Sequence, residues 1–92
     1  MITVNEYFNG NVKSLGFASA SGKATIGVML PGSYTFSTSQ KEKMVITSGN
    51  LQVKLPGEDW KTVEAGRDFE IAANQSFDVS LEADVSYLCY YY

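Results

Sequence analysis

The amino-acid sequence predicts an all-β protein folded as a single antiparallel jelly-roll barrel. Apolar residues alternate with polar ones in short runs, and turn residues interrupt these runs about every ten positions. No stretch shows the 3.6-residue period of an amphipathic helix. Short, evenly spaced strands joined by turns are typical of two packed antiparallel sheets.

The strands follow one another without a linker. Residues 2–10 are expected to form an N-terminal strand or arm that packs Tyr7 and Phe8 onto the barrel. The clearest strand spans residues 24–30, where large apolar side chains recur at every second position. We expect roughly eight or nine strands in all. Their segments after the N-terminal arm are 12–18, 24–30, 34–38, 42–48, 51–55, 60–64, 67–71, 77–81 and 85–91.

Glycine and proline mark the turns, because glycine adopts positive φ freely and proline fixes its own φ. Ser21-Gly22 and Pro31-Gly32 are predicted turns on either side of the clearest strand. Gly49-Asn50 is predicted to close a hairpin between the strands 42–48 and 51–55.

The length of 92 residues corresponds to one domain, residues 1–92. A domain of this size buries only roughly 60–65% of its unfolded surface, so association would add stability. The aromatic C-terminal strand would expose apolar area that a twofold contact can cover. A homodimer is therefore expected.

Charge and cysteine content narrow the possible partners. The net charge of −3 argues against a nucleic-acid polymer, because phosphate backbones need clustered Lys and Arg. No apolar run is long enough for a membrane helix, and the N-terminus lacks a signal-peptide pattern. Cys89 is the single cysteine, so it forms no internal disulfide, and its strand position favours a buried, inert thiol. The chain is expected to be cytoplasmic, without a membrane partner.

Two spacings organise the middle of the chain. Six residues separate Glu42 from Gly49, and five residues separate Gly66 from Ala72. These spacings resemble the two sequence motifs of the cupin superfamily, which are small β-barrels. The resemblance selects the cupin-like version of the jelly roll.

The cupin motifs carry three histidines and a glutamate as metal ligands, and this chain retains only the glutamate, Glu42. The histidine positions align with Thr35, Ser37 and Phe77, and the chain contains no histidine. One carboxylate beside hydroxyl groups cannot hold zinc, iron or manganese as imidazoles do. No metal and no other cofactor are therefore predicted.

Glu42 has two interpretations from the sequence. It is either a strand-end carboxylate, exposed or paired with Lys41 or Lys43, or a carboxylate inside the barrel, as its motif position implies. Inside the barrel it would need hydrogen-bond partners, and Thr35, Ser37 and nearby tyrosines could supply them. Such a cluster suits a small ligand with hydroxyl groups, such as a sugar.

Aromatic and basic residues are the other candidates for ligand contacts. Phe77, Tyr87 and Tyr90 could stack on a base, although strand packing and dimer contact also explain them. Lys23 and Arg67 are the candidate phosphate-binding residues, although each could be a solvated surface charge.

Short sequence blocks that cover nearly the whole chain carry a more specific resemblance. They are Asn5-Glu6-Tyr7-Phe8, Gly10, Val12-Lys13-Ser14, Gly16-Phe17, Gly27-Val28-Met29, Tyr34-Thr35-Phe36-Ser37-Thr38, Ser48-Gly49 and Ser86-Tyr87-Leu88-Cys89. Together they resemble the cupin-type pyrimidine/purine nucleoside phosphorylases. The resemblance implies metal-free phosphorolysis of many nucleosides to free base and α-D-ribose 1-phosphate. It departs from the family at Tyr90, where the family tends to have a basic residue.

The residues are compatible with this chemistry. A carboxylate at Glu42 could stabilise positive charge on the ribose or hold its hydroxyls, so Glu42 is the predicted catalytic residue. Thr35 and Ser37 are predicted to face the interior and bind the ribose. Phosphate is itself the nucleophile and needs only positioning by hydroxyls and a cation. The expected partners are nucleosides and inorganic phosphate.

Two other functions remain open at this point. One is a non-catalytic cupin-like barrel that binds a sugar or nucleotide. The other is a metal cupin whose ligands are tyrosine and carboxylate side chains.

Overall fold

Ten β-strands and one short 3₁₀ turn make up the computed structural model, which describes residues 1–92. The strands are β1 (Thr3–Tyr7), β2 (Val12–Ser19), β3 (Gly22–Met29), β4 (Gly32–Ser37), β5 (Glu42–Ser48), β6 (Asn50–Lys54), β7 (Lys61–Glu64), β8 (Asp68–Ile71), β9 (Ser76–Leu81) and β10 (Val85–Tyr91). The turn is Phe8–Gly10. The count exceeds the eight or nine strands expected because the N-terminal segment also pairs, with β2.

The strands form two sheets in which all paired neighbours are antiparallel. One sheet has six strands in the order β1-β2-β3-β10-β5-β8, and the other has four in the order β4-β9-β6-β7. The all-β jelly-roll class predicted from the sequence is confirmed. The sheets pack face to face but are not joined by hydrogen bonds into a closed barrel, so the architecture is a cupin-like sandwich.

The predicted hairpin at Gly49-Asn50 is wrong. β5 pairs with β10 and β8 in the six-stranded sheet, whereas β6 pairs with β7 and β9 in the other sheet. Gly49 therefore carries the chain from one sheet to the other. Its φ is 82°, and a Cβ added to it would lie 2.8 Å from the carbonyl oxygen of Asp84. Both facts explain why glycine stands there.

Side-chain alternation places one apolar face of each sheet in the interior. A single cluster of 17 buried residues fills the space between the sheets. On β10, Val85, Tyr87 and Cys89 are buried and Tyr91 is partly buried against them, which confirms the predicted common face. Tyr90 therefore lies on the opposite, outer face.

The inner face of the six-stranded sheet changes from apolar to polar along its strands. At one end Val12, Met29 and Val85 are register partners and almost completely buried. At the other end the inward positions are small or polar: Gly16, Lys23, Thr25, Glu42, Cys89 and Tyr91. This end is where the sandwich can hold a polar ligand.

Gly27 makes room for an aromatic ring in this inner face. Gly27 and Tyr87 are register partners, and the ring of Tyr87 lies over the Gly27 backbone. A Cβ on Gly27 would lie 2.6 Å from the Tyr87 hydroxyl oxygen and 2.8 Å from the Lys13 carbonyl oxygen. No side chain fits at this position without displacement of the tyrosine.

Gly27→Ala is expected to destabilise the protein by about 1–3 kcal/mol, the usual effect of overpacking a filled interior. Thermal denaturation should show a Tm lower by about 4 °C or more. The control is Gly16→Ala, whose Cβ would lie an ordinary 3.4 Å from the Thr3 Cβ. Equal Tm values for Gly27→Ala and the parent would contradict the proposed packing of Tyr87.

The outer face of the same sheet carries a row of apolar side chains. Val4, Leu15, Ile26, Leu88 and Val45 are successive register partners across β1, β2, β3, β10 and β5. Val4 is 66% exposed, Leu15 43% and Ile26 48%. A continuous exposed apolar row of this length is unusual for a small monomeric domain and indicates an interaction surface.

Candidate functional site

A cavity of about 220 Å³ lies between the two sheets at their polar end. β2, β5 and β10 of the six-stranded sheet form one side, and β4 and β9 form the other. Five residues predicted from the sequence line it: Thr35, Ser37, Glu42, Phe77 and Tyr87. Glu42 is the one charged side chain in its wall.

Glu42 is half-buried at the start of β5, where it is the register partner of Tyr91. The Cys89 thiol donates a hydrogen bond to Glu42 Oε1 at 3.4 Å. Burial raises the pKa of Glu42, and the thiol hydrogen bond opposes this only in part. Burial, and secondly the charge of Glu42, raises the pKa of Cys89 to about 12, so the thiol stays protonated as a donor.

The neighbouring lysines do not neutralise Glu42. Lys41 Nζ lies 3.2 Å from Glu70 Oε1, and Lys43 Nζ lies 3.9 Å from Asp68 Oδ2. None of the four ion pairs of the chain includes Glu42. The carboxylate therefore faces the cavity without a cation, and the interpretation as a carboxylate inside the fold is the one that the structure supports.

Thr35 and Ser37 share one face of β4, as predicted, but it is the outer face. Thr35 Oγ1 donates a hydrogen bond to Asp78 Oδ1 at 2.7 Å, and Ser37 Oγ lies 3.2 Å from Ser76 Oγ. Both residues are exposed, because β4 directs the apolar side chains of Tyr34 and Phe36 inward instead. The expectation that the two hydroxyls face the interior is wrong, and these residues border the cavity as part of its β4 rim.

Aromatic rings form the apolar wall of the cavity. Phe77 is buried and stacks on Phe36, with ring centroids 5.6 Å apart. Phe8 covers the opening and lies edge-on to Phe36 at 5.5 Å. Phe8 has a φ of 53°, a costly conformation for a bulky residue, and remains 41% exposed. Phe8 therefore offers an accessible aromatic face beside Glu42.

A groove of about 600 Å³ adjoins the cavity on the inner face of β1, β2 and β3. Tyr7 and Tyr91 line both spaces, so they form the shared wall. Lys23 lines the groove, and its Nζ lies 5.8 Å from the centroid of the Tyr91 ring. Lys23 takes part in none of the four ion pairs, so its charge is available to an anion.

Two other predicted residues lie elsewhere. Tyr90 is on the outer face of β10, between Ala24 and Lys43 in the sheet register. Arg67 lines a separate surface cavity with Lys61 and lies in neither the Glu42 cavity nor the groove. The structure thus brings Glu42, Phe77, Tyr87 and Lys23 to one end of the sandwich and leaves Tyr90 and Arg67 apart.

The donor set does not fit the metal that many cupins hold. Phe77 occupies a histidine position with an apolar ring, and the hydroxyls of Thr35 and Ser37 bond to the outer face of β9. Glu42 alone remains, and one carboxylate does not make a transition-metal site. No cluster of three or more His, Cys, Asp or Glu side chains that could hold a metal ion is present.

Sequence reasoning missed Tyr91, Cys89 and Phe8 as cavity residues. The signal for Tyr91 was present, because it shares the inward face of β10 with Tyr87 whereas Tyr90 does not. The approach of the Cys89 thiol to Glu42 depends on the pairing of β10 with β5. This pairing joins strands that are far apart in the sequence, so no local sequence pattern predicts it.

The fold is that of a small cupin-like protein, with a cavity at one end of the sandwich. The cupin domain of Drosophila melanogaster CENP-C superposes with a TM-score of 0.73, covering 99% of this chain and 75% of that chain at 11% identity. At that identity the likeness shows the fold alone. The structure has no helix both long and apolar enough to cross a membrane.

The sequence comparisons give the family. The profile of the pyrimidine/purine nucleoside phosphorylase family matches residues 2–91. A Magnetococcus marinus protein named pyrimidine/purine nucleoside phosphorylase is 55% identical over 99% of both chains. The crystal structure of a Vibrio parahaemolyticus protein of unknown function is 44% identical, with a TM-score of 0.92 over 97% of this chain and 96% of that chain. This chain belongs to the pyrimidine/purine nucleoside phosphorylase family.

The raised pKa of Glu42 makes a prediction for stability. Burial raises this pKa in the folded protein. At pH values between the ordinary and the raised pKa, Glu42 is therefore protonated in the folded protein but ionised in the unfolded chain. Stability therefore falls as pH rises through that window. Glu42→Gln removes the buried charge and is expected to raise Tm more near pH 7 than near pH 4.

Thermal denaturation of both proteins at the two pH values measures this difference. Glu82→Gln is the matched control, since Glu82 is exposed and belongs to no ion pair. A Tm difference that is the same at both pH values would show that the charge of Glu42 carries no desolvation cost.

Proposed function

We propose that this protein is a nucleoside phosphorylase of broad specificity, a glycosyltransferase that moves a pentosyl group to phosphate. It converts pyrimidine or purine nucleosides and inorganic phosphate to free base and α-D-ribose 1-phosphate. The observation that carries the proposal is the position of Glu42, which lines an aromatic cavity. The adjoining groove contains Lys23, which belongs to no ion pair. The name of the relatives and the family profile support the same activity.

The base is proposed to lie against the aromatic wall formed by Phe8, Phe36 and Phe77. Stacking accepts any base, because every base has an aromatic face and no hydrogen-bond pattern is read. Tyr87 closes this space from β10, and burial raises its pKa to about 12, so its phenol is neutral. Because the aromatic wall contacts the base by stacking, the protein is expected to accept both pyrimidine and purine nucleosides.

Glu42 is proposed to act at the ribose. As the bond from C1′ to the base nitrogen breaks, the sugar develops positive charge, and a carboxylate held nearby stabilises that charge. The carboxylate is partly desolvated and lacks a cation, so its field on the ribose is not cancelled. Thr35 and Ser37 are left out of this ribose site, because their hydroxyls bond to Asp78 and Ser76 on the outer face of β4 and β9.

Phosphate is proposed to enter from the groove, on the side of the ribose away from the base. A phosphate oxygen forms the new bond to C1′ while the base leaves with the electron pair of the old bond. The base takes up one proton, which the H₂PO₄⁻ ion or water supplies. Attack opposite the leaving base inverts a β-nucleoside to the α-phosphate. Lys23 is the cation nearest this path, and a contribution of Arg67 stays a prediction.

A non-catalytic barrel that binds a nucleoside or nucleotide is the alternative. Incubation of the purified protein with uridine or adenosine, with and without phosphate, separates the two functions. Chromatography should show free base only when phosphate is present. Binding without base release would leave the non-catalytic function standing.

Glu42→Gln is expected to lower kcat about 100-fold or more, because the charge acts mainly in the transition state. The amide keeps the shape of the side chain and can still accept a hydrogen bond from Cys89. The Glu82→Gln variant serves as control. Parental turnover of uridine and adenosine by a folded Glu42→Gln protein would assign Glu42 a structural role.

Lys23→Ala is expected to raise KM for phosphate about 10-fold, as for loss of a charge-assisted hydrogen bond. Arg67→Ala is expected to have the smaller effect, because Arg67 lines a different cavity. Steady-state kinetics at varied phosphate compares these variants with Lys54→Ala, which removes a half-buried lysine bonded to the Glu58 carbonyl and outside the cavity and groove. A larger effect of Arg67→Ala would move the phosphate site to the β7–β8 turn.

A homodimer is the proposed assembly, with the outer apolar row of the six-stranded sheet as its contact. A second copy of the chain presents the same row, so one twofold axis covers both exposed surfaces at once. The small core of a 92-residue domain gains stability from such burial.

Ile26→Lys places a charge at the centre of this row and is expected to give a monomer in light scattering. Thr62→Lys, on the exposed face of β7, is the control and should keep the parental mass. A monomeric parent at micromolar concentration, or a dimeric Ile26→Lys protein, would rule out this interface.

A further inference from the structure

The wall between the cavity and the groove contains a hydrogen-bonded pair of hydroxyl groups, from Thr25 and Tyr91. Thr25 Oγ1 and Tyr91 Oη lie 3.0 Å apart, and the Cys89 thiol is the other hydrogen-bond neighbour of Tyr91. Thr25 is only 5% exposed, so its hydroxyl is removed from bulk water. Burial raises the pKa of Tyr91, so the phenol keeps its proton.

Proton counting shows what this pair can bind. Two hydroxyls have two protons, and one of them lies between the two oxygens. The second proton is free to be donated, from Tyr91 if Thr25 donates within the pair, or from Thr25 if the direction is reversed. The Cys89 sulfur beside Tyr91 is only a weak acceptor for this proton, so a stronger acceptor in the groove can take it.

Other donors converge on the same space. The Lys23 ammonium lies over the Tyr91 ring, 5.8 Å from its centroid. Asn5 Nδ2 uses one hydrogen to bond Ser14 Oγ at 3.2 Å, which leaves its second hydrogen for a ligand. Asn5, Lys23, Thr25 and Tyr91 all line the groove. The lining contains no acidic side chain.

We propose that Tyr91, together with Thr25, is a phosphate-binding part of the site, and that the groove is the subsite for the phosphate co-substrate. This assignment rests on the phosphorolysis proposed above. The ionised oxygens of phosphate accept hydrogen bonds, and the groove presents an ammonium, an amide and a hydroxyl donor to them. Tyr91 also borders Glu42 in the register of β10 and β5, so the bound phosphate faces the ribose.

The test is Tyr91→Phe, which removes the phenol hydroxyl and keeps the ring under Lys23. KM for phosphate should rise about 10-fold, while KM for uridine stays within error. Tyr92→Phe removes the hydroxyl of an exposed neighbouring tyrosine and should leave both KM values unchanged. An unchanged KM for phosphate in Tyr91→Phe, or equal rises in both KM values, would overturn the assignment.

Thr25→Val provides an independent variant that keeps side-chain volume. If the hydroxyls act as a pair, the double variant should raise KM for phosphate no more than Tyr91→Phe alone. If the fold-increases in KM for phosphate of the two single variants multiply in the double variant, the two hydroxyls act independently and the pair is contradicted.

Inorganic phosphate alone separates this assignment from the proposed function. It should raise the Tm of the parent relative to chloride of equal ionic strength, and Tyr91→Phe should lose that shift. A phosphate shift that depends on Tyr91 in a parent that releases no base would support the subsite and reject the phosphorylase. If the parent releases base but KM for phosphate is the same in the parent and in Tyr91→Phe, the phosphorylase function is supported and the phosphate subsite at Tyr91 is rejected.

Discussion

The site depends on a carboxylate that the fold holds partly out of water without a cation. Glu42 accepts a hydrogen bond from a protonated thiol, a weak donor, while both flanking lysines pair with acids on β8. A carboxylate with a purely structural role would be stabilised by an ion pair with a lysine. The absence of such a pair leaves the negative charge of Glu42 available to a ligand, at a cost in stability. Glu42 lines the cavity with the aromatic wall at the polar end of the sandwich, and the groove adjoins this cavity at Tyr7 and Tyr91.

The sheet register explains how so small a domain builds two adjoining binding spaces. Along the inner face of the six-stranded sheet, bulky residues such as Met29 give way to Gly16 and Thr25, and the sandwich opens where the side chains shrink. Gly27 admits the Tyr87 ring between these two regions. The core and the cavity thus lie along the same inner face of the sheet, where the side chains become smaller and more polar from one end to the other.

Sequence patterns predicted the strands well because alternation is a local property. They predicted the faces less well, and β3 shows why: Ile26 and Val28, the large members of its alternation, lie outside, while Thr25 and Gly27 lie inside. Alternation groups residues on two faces but does not tell which face is buried. The alignment with the cupin motifs placed Thr35 and Ser37 inward, although β4 directs Phe36 there. Motif spacing located Glu42, but its thiol partner depends on the pairing of β5 with β10, which are distant in the sequence.

The pH dependence of kcat/KM for uridine tests the central role of Glu42 most directly, with phosphate saturating. Carboxyl-carbon NMR of the same protein gives the pKa of Glu42 independently. The two should coincide: kcat/KM falls on acidification through the raised pKa of Glu42, because protonation removes the charge that acts at the ribose. A rate that stays constant while NMR shows Glu42 taking up its proton would contradict this role.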